Sequence, residues 1–405
     1  MTHTISNKTI WILILSSSLI FAITMGARQT LGLFIFPINH TTQMDIVSIS
    51  FSLAIGQFVW GLSQPIFGAI ADKKGSWGVL VLGALLLSLG LALTTISHNE
   101  WMLLLSIGII SAAGAGAGSF SVLIGAISAK LPPQKSSFAG GFINAGGSFG
   151  QFIFAPILQA IIQAFGWIVA MLSMAITTLL TIPLASILTK NEKTTSKPLV
   201  LEEQGLLLQI KNAFKDKSYI YLHIGFFTCG FHIAFLVTHL PGEVALCGFS
   251  AQVSASSLAI IGLFNIAGSL YAGHLGSVYK MKYILAAMYA SRALMIILYL
   301  LSDKTPMTFY IFSAFLGFTW LATVPPTVGI VRKLFGIQYL ATLFGLTLLT
   351  HQIGAFFGAW LGGLVISNRG DYSWMWYMDI LLALLAAVIN LPIKEEAVNH
   401  AFESK

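Results

Sequence analysis

The chain has 405 residues, of which 56% are hydrophobic and 9% charged, against roughly a quarter charged in soluble domains. Water is therefore not its main solvent, and a soluble globular enzyme is excluded as the starting expectation. The formal charge of +7 would point to nucleic acid in a soluble protein, but the basic residues sit in short connecting loops, so no nucleic-acid partner is expected.

A bilayer core takes about 20 apolar residues of helix. Windows of that length occur at 10–37, 46–71, 78–97, 101–129, 136–163 and 166–189. After one polar stretch they resume at 219–243, 252–276, 280–301, 306–331, 337–366 and 373–393. The first could be taken for a signal peptide, since Lys8 precedes the apolar run 10–23. No small-residue cleavage site follows and more apolar segments do, so it is kept as a membrane helix. Lys8, Lys73, Lys74, Lys130, Lys135, the cluster 190–217, Lys280, Lys282, Arg332, Lys333, Lys394 and Lys405 fall on one side of such a layout, and only Lys304 and Arg369 occupy loops on the other. Basic loops stay cytoplasmic, which places both termini in the cytoplasm. Short loops and tails favour a bacterial inner membrane, and a monomer is expected.

The polar stretch 190–218 divides the chain into halves 1–189 and 219–405. Its section 206–214 has helical spacing with Lys211, Lys215 and Lys217 close by, as in a helix lying on an anionic membrane surface. The halves repeat at an offset of about 204 or 205 residues. MGARQTLGLFIFP, 25–37, lies over CGFHIAFLVTHLP, 229–241, setting Arg28 against His232. SLAI recurs at Ser52 and Ser257, Gly68 meets Gly273, and Gly141 and Gly150 meet Gly345 and Gly354. The fold expected is all-α: twelve transmembrane helices in two pseudo-symmetric six-helix bundles, with a substrate site at their interface near mid-membrane.

GAIADKKG, 68–75, between the second and third helices, resembles the loop motif of the major facilitator superfamily, and the likeness extends over the whole chain. It implies a cytoplasmic gate built on Gly68, Asp72, Lys73, Lys74 and Gly75 that ties helix ends together in the outward-open state. The counterpart GHLGSVYK carries Ser277 in place of the acid. GGFINAGGSFG followed by Pro156 is a looser match to a Gly and Pro pattern seen in antiporters of the family. The first and seventh helices look most like the monocarboxylate-porter-like branch, which implies an organic anion as substrate.

Ionisable side chains cost about 2.5–3.5 kcal/mol each in the hydrocarbon layer, so each needs a partner or a wet cavity. Arg28 offers a planar fork for a carboxylate and is either the anion anchor or a structural cation holding backbone carbonyls. His232 and His239 are two helical turns apart and suit a proton relay or satisfied core positions. Gln57, Asn144, Asn265, His351 and Gln352 interrupt helices expected to border the cavity, as ligand contacts or as interhelical ties. Arg292 and Asp379 lie at similar depth on peripheral helices, and a structural ion pair is the preferred reading over a proton site at Asp379. Cys229 and Cys247 lack any metal-ligand spacing, so no metal and no cofactor are expected. Without a GxxxxGK[ST] loop an ATP-driven pump is unexpected, and no enzyme activity or catalytic residue is assigned. The expected function is secondary transport of a small organic anion with protons, by alternating access. The alternative is multidrug or metabolite efflux on the same scaffold.

Overall fold

The computed structural model describes residues 7–128, 133–189, 203–336 and 340–396. Among them, twelve helical segments are long and apolar enough to cross a membrane. They are α1 (Asn7–Thr42), α2 (Ile46–Ala71), α3 (Ser76–Thr94), α4 (Glu100–Ile127), α5 (Ala139–Phe165) and α6 (Trp167–Leu188) in the first half. The second half holds α7 (Lys217–Leu246), α8 (Ala251–Gly276), α9 (Met281–Leu301), α10 (Pro306–Phe335), α11 (Thr342–Arg369) and α12 (Ser373–Asn390). An even number of crossings puts the start of α1 and the end of α12 at one side, called here the terminal side.

Boundaries differ from the sequence reading where backbone chemistry intervenes. The first span runs past Pro37 to Thr42, because that proline falls in the first turn of a separate helical piece, Ile35–Thr42, where its missing N–H is not needed. Between 190 and 218, residues 190–202 lie outside the described residues, and a helix spans Glu203–Ala213. Its continuation Phe214 packs against the rings of Tyr219 and His223 at 5.4 and 5.1 Å. Asp216 then caps α7 by accepting from the Tyr219 N–H at 2.9 Å.

The repeat is visible in contacts. A methyl group on Gly146, Gly147 or Gly150 of α5 would meet Ser18, Phe21 or Ala22 of α1. Adding 205 residues on α1 and 204 on α5 gives the corresponding contacts of α7 with α11. His223 bonds Thr350 at 2.7 Å, the Phe226 and His351 rings are 4.9 Å apart, and Gly354 sits against the Phe227 carbonyl. Small residues let these backbones approach. Interruptions repeat as well. Helix α4 passes through a π-helical stretch, Leu104–Ser111, and breaks at Gly118 and Ser119, while α10 breaks at 320–323, one offset on.

The halves meet along α2 with α11 and α5 with α8, and they meet unevenly. Toward the far side, Gly32 lies on the carbonyls of Val237 and Thr238, Gly363 on Ser50, and Phe51 on Phe356 and Trp360 with centroids 6.1 and 5.9 Å apart. Toward the terminal side, a methyl group on Gly68, Gly141, Gly273 or Gly345 would meet nothing within 4 Å. Among the described residues, the two bundles touch toward the far side and stand apart toward the terminal side.

Candidate functional site

The break in α1 at Thr30 and the π-helical turn of α4 leave a cavity between α1, α2, α3, α4 and α7, with about 30 Å³ open to water, room for about two water molecules. Its walls are apolar except for Arg28, Gln57, Ser111 and Thr238. Wider π-helical turns recur at functional sites because they displace a helix face, and here Ile107 and Ser111 of that turn form one wall.

Arg28 is half-buried. One guanidinium nitrogen donates to Oε1 of Gln57, and the guanidinium carbon stands 3.9 Å from the centroid of the Trp60 ring. Gln57 and Trp60 are three residues apart and so share a face of α2. Among the described residues, no carboxylate lies within ion-pairing distance of Arg28. A desolvated cation–π contact is worth about 2 kcal/mol, comparable to the insertion cost of the charge. The aromatic face therefore holds the cation in place without neutralising it.

Of the expected site residues, Arg28 and Gln57 come together and the others do not join them. Gln352 packs its side chain on Gly61 at the seam of α2 and α11, and its amide bonds Nδ1 of His351 at 3.2 Å. Asn265 is an interhelical tie. Its amide donates to Ser148 of the other half at 2.8 Å and its carbonyl accepts the N–H of Leu321 at 3.0 Å. Asn144 is half-buried on α5, outside the cavity wall. His239 donates from Nε2 to the Ala359 carbonyl at 2.7 Å, and the Tyr372 hydroxyl donates to its Nδ1 at 3.3 Å. Both ring nitrogens are thus used by a neutral imidazole. The gate residues Gly68 and Gly75 are described: Gly75 makes the turn with φ +89°, bonding back to Ala71, and Lys74 is exposed. The side chains of Asp72, Lys73 and Ser277 lie outside the described residues.

Two expectations are corrected. The pairing of Arg28 with His232 by symmetry is off by one: contacts place α7 at offset 205, so Arg28 corresponds to Ile233. One residue is about 100° of helix, which turns His232 into its own half. The Arg292–Asp379 ion pair does not form. The carbonyls freed at the break in α10 draw the Arg292 guanidinium, which donates to those of Thr319 and Trp320, the latter at 2.7 Å. A cation at the C-terminal end of a helix piece is favoured by the dipole there. Asp379 instead accepts from Nδ1 of His232 at 2.6 Å.

Trp60 was missed by sequence reasoning. The readable signal was its i, i+3 spacing from Gln57, lost among the 12% aromatic residues.

Twelve spans in two repeated bundles among the described residues, with Arg28 at a cavity where α7 meets the first half, are the architecture of an integral multi-pass transporter with a small-molecule substrate. The model of the Major Facilitator Superfamily matches residues 17–347, and the chain belongs to that family. It is 23% identical to "Monocarboxylate transporter 13" of Rattus norvegicus over 94% of this chain and 89% of the relative. It is also 23% identical to an uncharacterised transporter of this type from Bacillus subtilis, over 95% of each. Among solved structures, a D-xylose–proton symporter superposes with TM-score 0.77 at 14% identity, over 96% of this chain and all of the other. A bacterial homologue of the lysosomal transporter Spinster, inward-facing and occupied, gives 0.75 at 14% identity over 95% and 97%.

Proposed function

We propose that the protein moves a small organic anion, of monocarboxylate type, together with protons by alternating access. The observation that carries this reading is Arg28: a fixed cation at a cavity between the halves, oriented by Gln57 and Trp60, with no acid of its own among the described residues. A planar guanidinium recognises a carboxylate by parallel hydrogen bonds. The relatives named as monocarboxylate transporters support the same substrate class. At about 30 Å³ the cavity seats the charged end of such a solute, and the remainder requires α1 and α4 to part.

The basic loops assign the terminal side to the cytoplasm, making this the inward-open conformation of a monomer in a bacterial inner membrane.

Uptake into proteoliposomes tests the assignment. Arg28→Gln lowers uptake of a labelled monocarboxylate at least about tenfold, since one lost charge-assisted hydrogen bond is worth about 1.5–3 kcal/mol. Arg28→Lys restores part of it, the charge without the fork. Unchanged uptake by Arg28→Gln at limiting and saturating solute would reject the reading, and a response to lipophilic cations alone would replace it with efflux.

A further inference from the structure

Away from the anion cavity, the second half encloses a set of ionisable side chains that the anion site does not use. His232 on α7 is 1% exposed and Asp379 on α12 is 0% exposed. Their contact at 2.6 Å is one of two ion-pair contacts among the described residues, and the other, Lys333 with Glu395, lies at the membrane edge. Nδ1–H of His232 faces Oδ2 of Asp379, which leaves Nε2 as a lone-pair acceptor. That Nε2 and the second carboxylate oxygen, Oδ1, are both buried with no partner among the described residues. An unfilled buried acceptor costs about 1–3 kcal/mol.

The groups packed around this pair are few. On α7, Cys229 bonds Thr323 at 3.2 Å and lies against Arg292 and His351 of α9 and α11. On α9, Arg292 spends one nitrogen on the α10 carbonyls and stands 5.3 Å from the Tyr289 ring. The broken part of α10 brings the Trp320 ring to 6.0 Å from His232, and no titratable group.

We propose that the His232–Asp379 pair is the proton-binding site of the transport cycle, separate from the anion site, with Nε2 of His232 as the atom that takes the proton. The step breaks no covalent bond other than that of the donating water or hydronium. The lone pair of Nε2 receives H⁺, and the imidazolium so formed balances the carboxylate already held by Nδ1–H. The pair goes from a net charge of minus one to zero, which lowers the cost of burying it.

Geometry also gives the proton a way to reach the alternating motion. The carbonyl of Trp320 is held by Arg292, the next N–H, of Leu321, by Asn265, and Asn265 by Ser148 of the opposite half. A change in packing around His232 and Trp320 is thus two hydrogen bonds, those of Asn265, from the seam between the halves.

This inference rests on the proton-coupled anion reading, and the test separates the two. In proteoliposomes with labelled lactate as probe, a gradient of one pH unit, acid outside, drives accumulation of about tenfold in the wild type. Asp379→Asn, which keeps an acceptor for Nδ1–H, and His232→Gln bring that ratio close to onefold, while lactate counterflow at equal pH remains measurable. Melting temperatures of the purified variants check that they fold. Nitrogen NMR of the full chain labelled at histidine, followed from about pH 5 to about pH 9, shows Nε2 of His232 gaining a proton at the acid end. Wild-type accumulation ratios in both variants would overturn the proposal, as would an Nε2 that stays unprotonated throughout. Lactate movement that ignores the pH gradient in the wild type would overturn the proton site and leave Arg28 as the anion site. No lactate movement in the wild type would count against the anion reading, and the His232 profile would then decide the proton site alone.

Discussion

An arginine facing a cavity inside the bilayer carries a charge that the protein has not matched with an acid among its described residues. Gln57 and Trp60 fix its direction, and both come from one face of α2. That arrangement leaves an optical handle. A carboxylate that draws the guanidinium off the indole changes the surroundings of Trp60, so anion binding shifts tryptophan emission in the wild type. In Trp60→Phe that component is absent, although the other eight of the nine tryptophans remain. Titration of both proteins with a monocarboxylate checks this, and equal responses would place the ligand elsewhere. Arg28 itself was legible, because so few charges enter the membrane spans. Its indole partner was not, since nothing in a sequence says which of many aromatic side chains meets a given cation.

The elements that matter most are the interrupted ones. Pro325 and Pro326 open the second helical piece of α10, and the structure shows what becomes of the carbonyls freed at the break before it: Thr319 and Trp320 are held by Arg292, and Asn265 takes the Leu321 N–H. Sequence depth placed Arg292 level with Asp379 and suggested a pair. Depth along a membrane normal says nothing of azimuth, however, and a side chain one residue out is turned by about 100°. Arg292→Met keeps the length of the side chain and removes its donors. It is expected to destabilise the protein by about 1.5–3 kcal/mol, the worth of hydrogen bonds to a charged group, read as a lowered melting temperature. The loss should exceed that of Lys333→Met at the exposed end of the pair with Glu395, where solvent screens the charge.

At the scale of the whole molecule, twelve spans and a repeat were readable because both rest on strong signals, hydrophobic length and one offset shared by several helix pairs. The register of that repeat was not settled to a single residue, and its correction from 204 to 205 on α1 and α7 moved His232 out of the cavity and into a buried pair with Asp379. The sequence also could not say which side of the bundle stands open. Contacts can, and they leave Gly68, Gly141, Gly273 and Gly345 facing empty space at the terminal side. A glycine inside a helix costs about 0.5–1 kcal/mol relative to alanine when nothing requires it, so this conformation is less stable than its contacts would permit. Alanine at all four sites should raise the melting temperature of the parted form and slow turnover in the same protein, measured by thermal unfolding and by initial rates of uptake. A gain in both would show that the terminal side never needs to close tightly. The small residues thus record the opposite conformation in this one: what the parted bundle lacks in stability, about 2–4 kcal/mol over the four sites, is the room its other state needs to close.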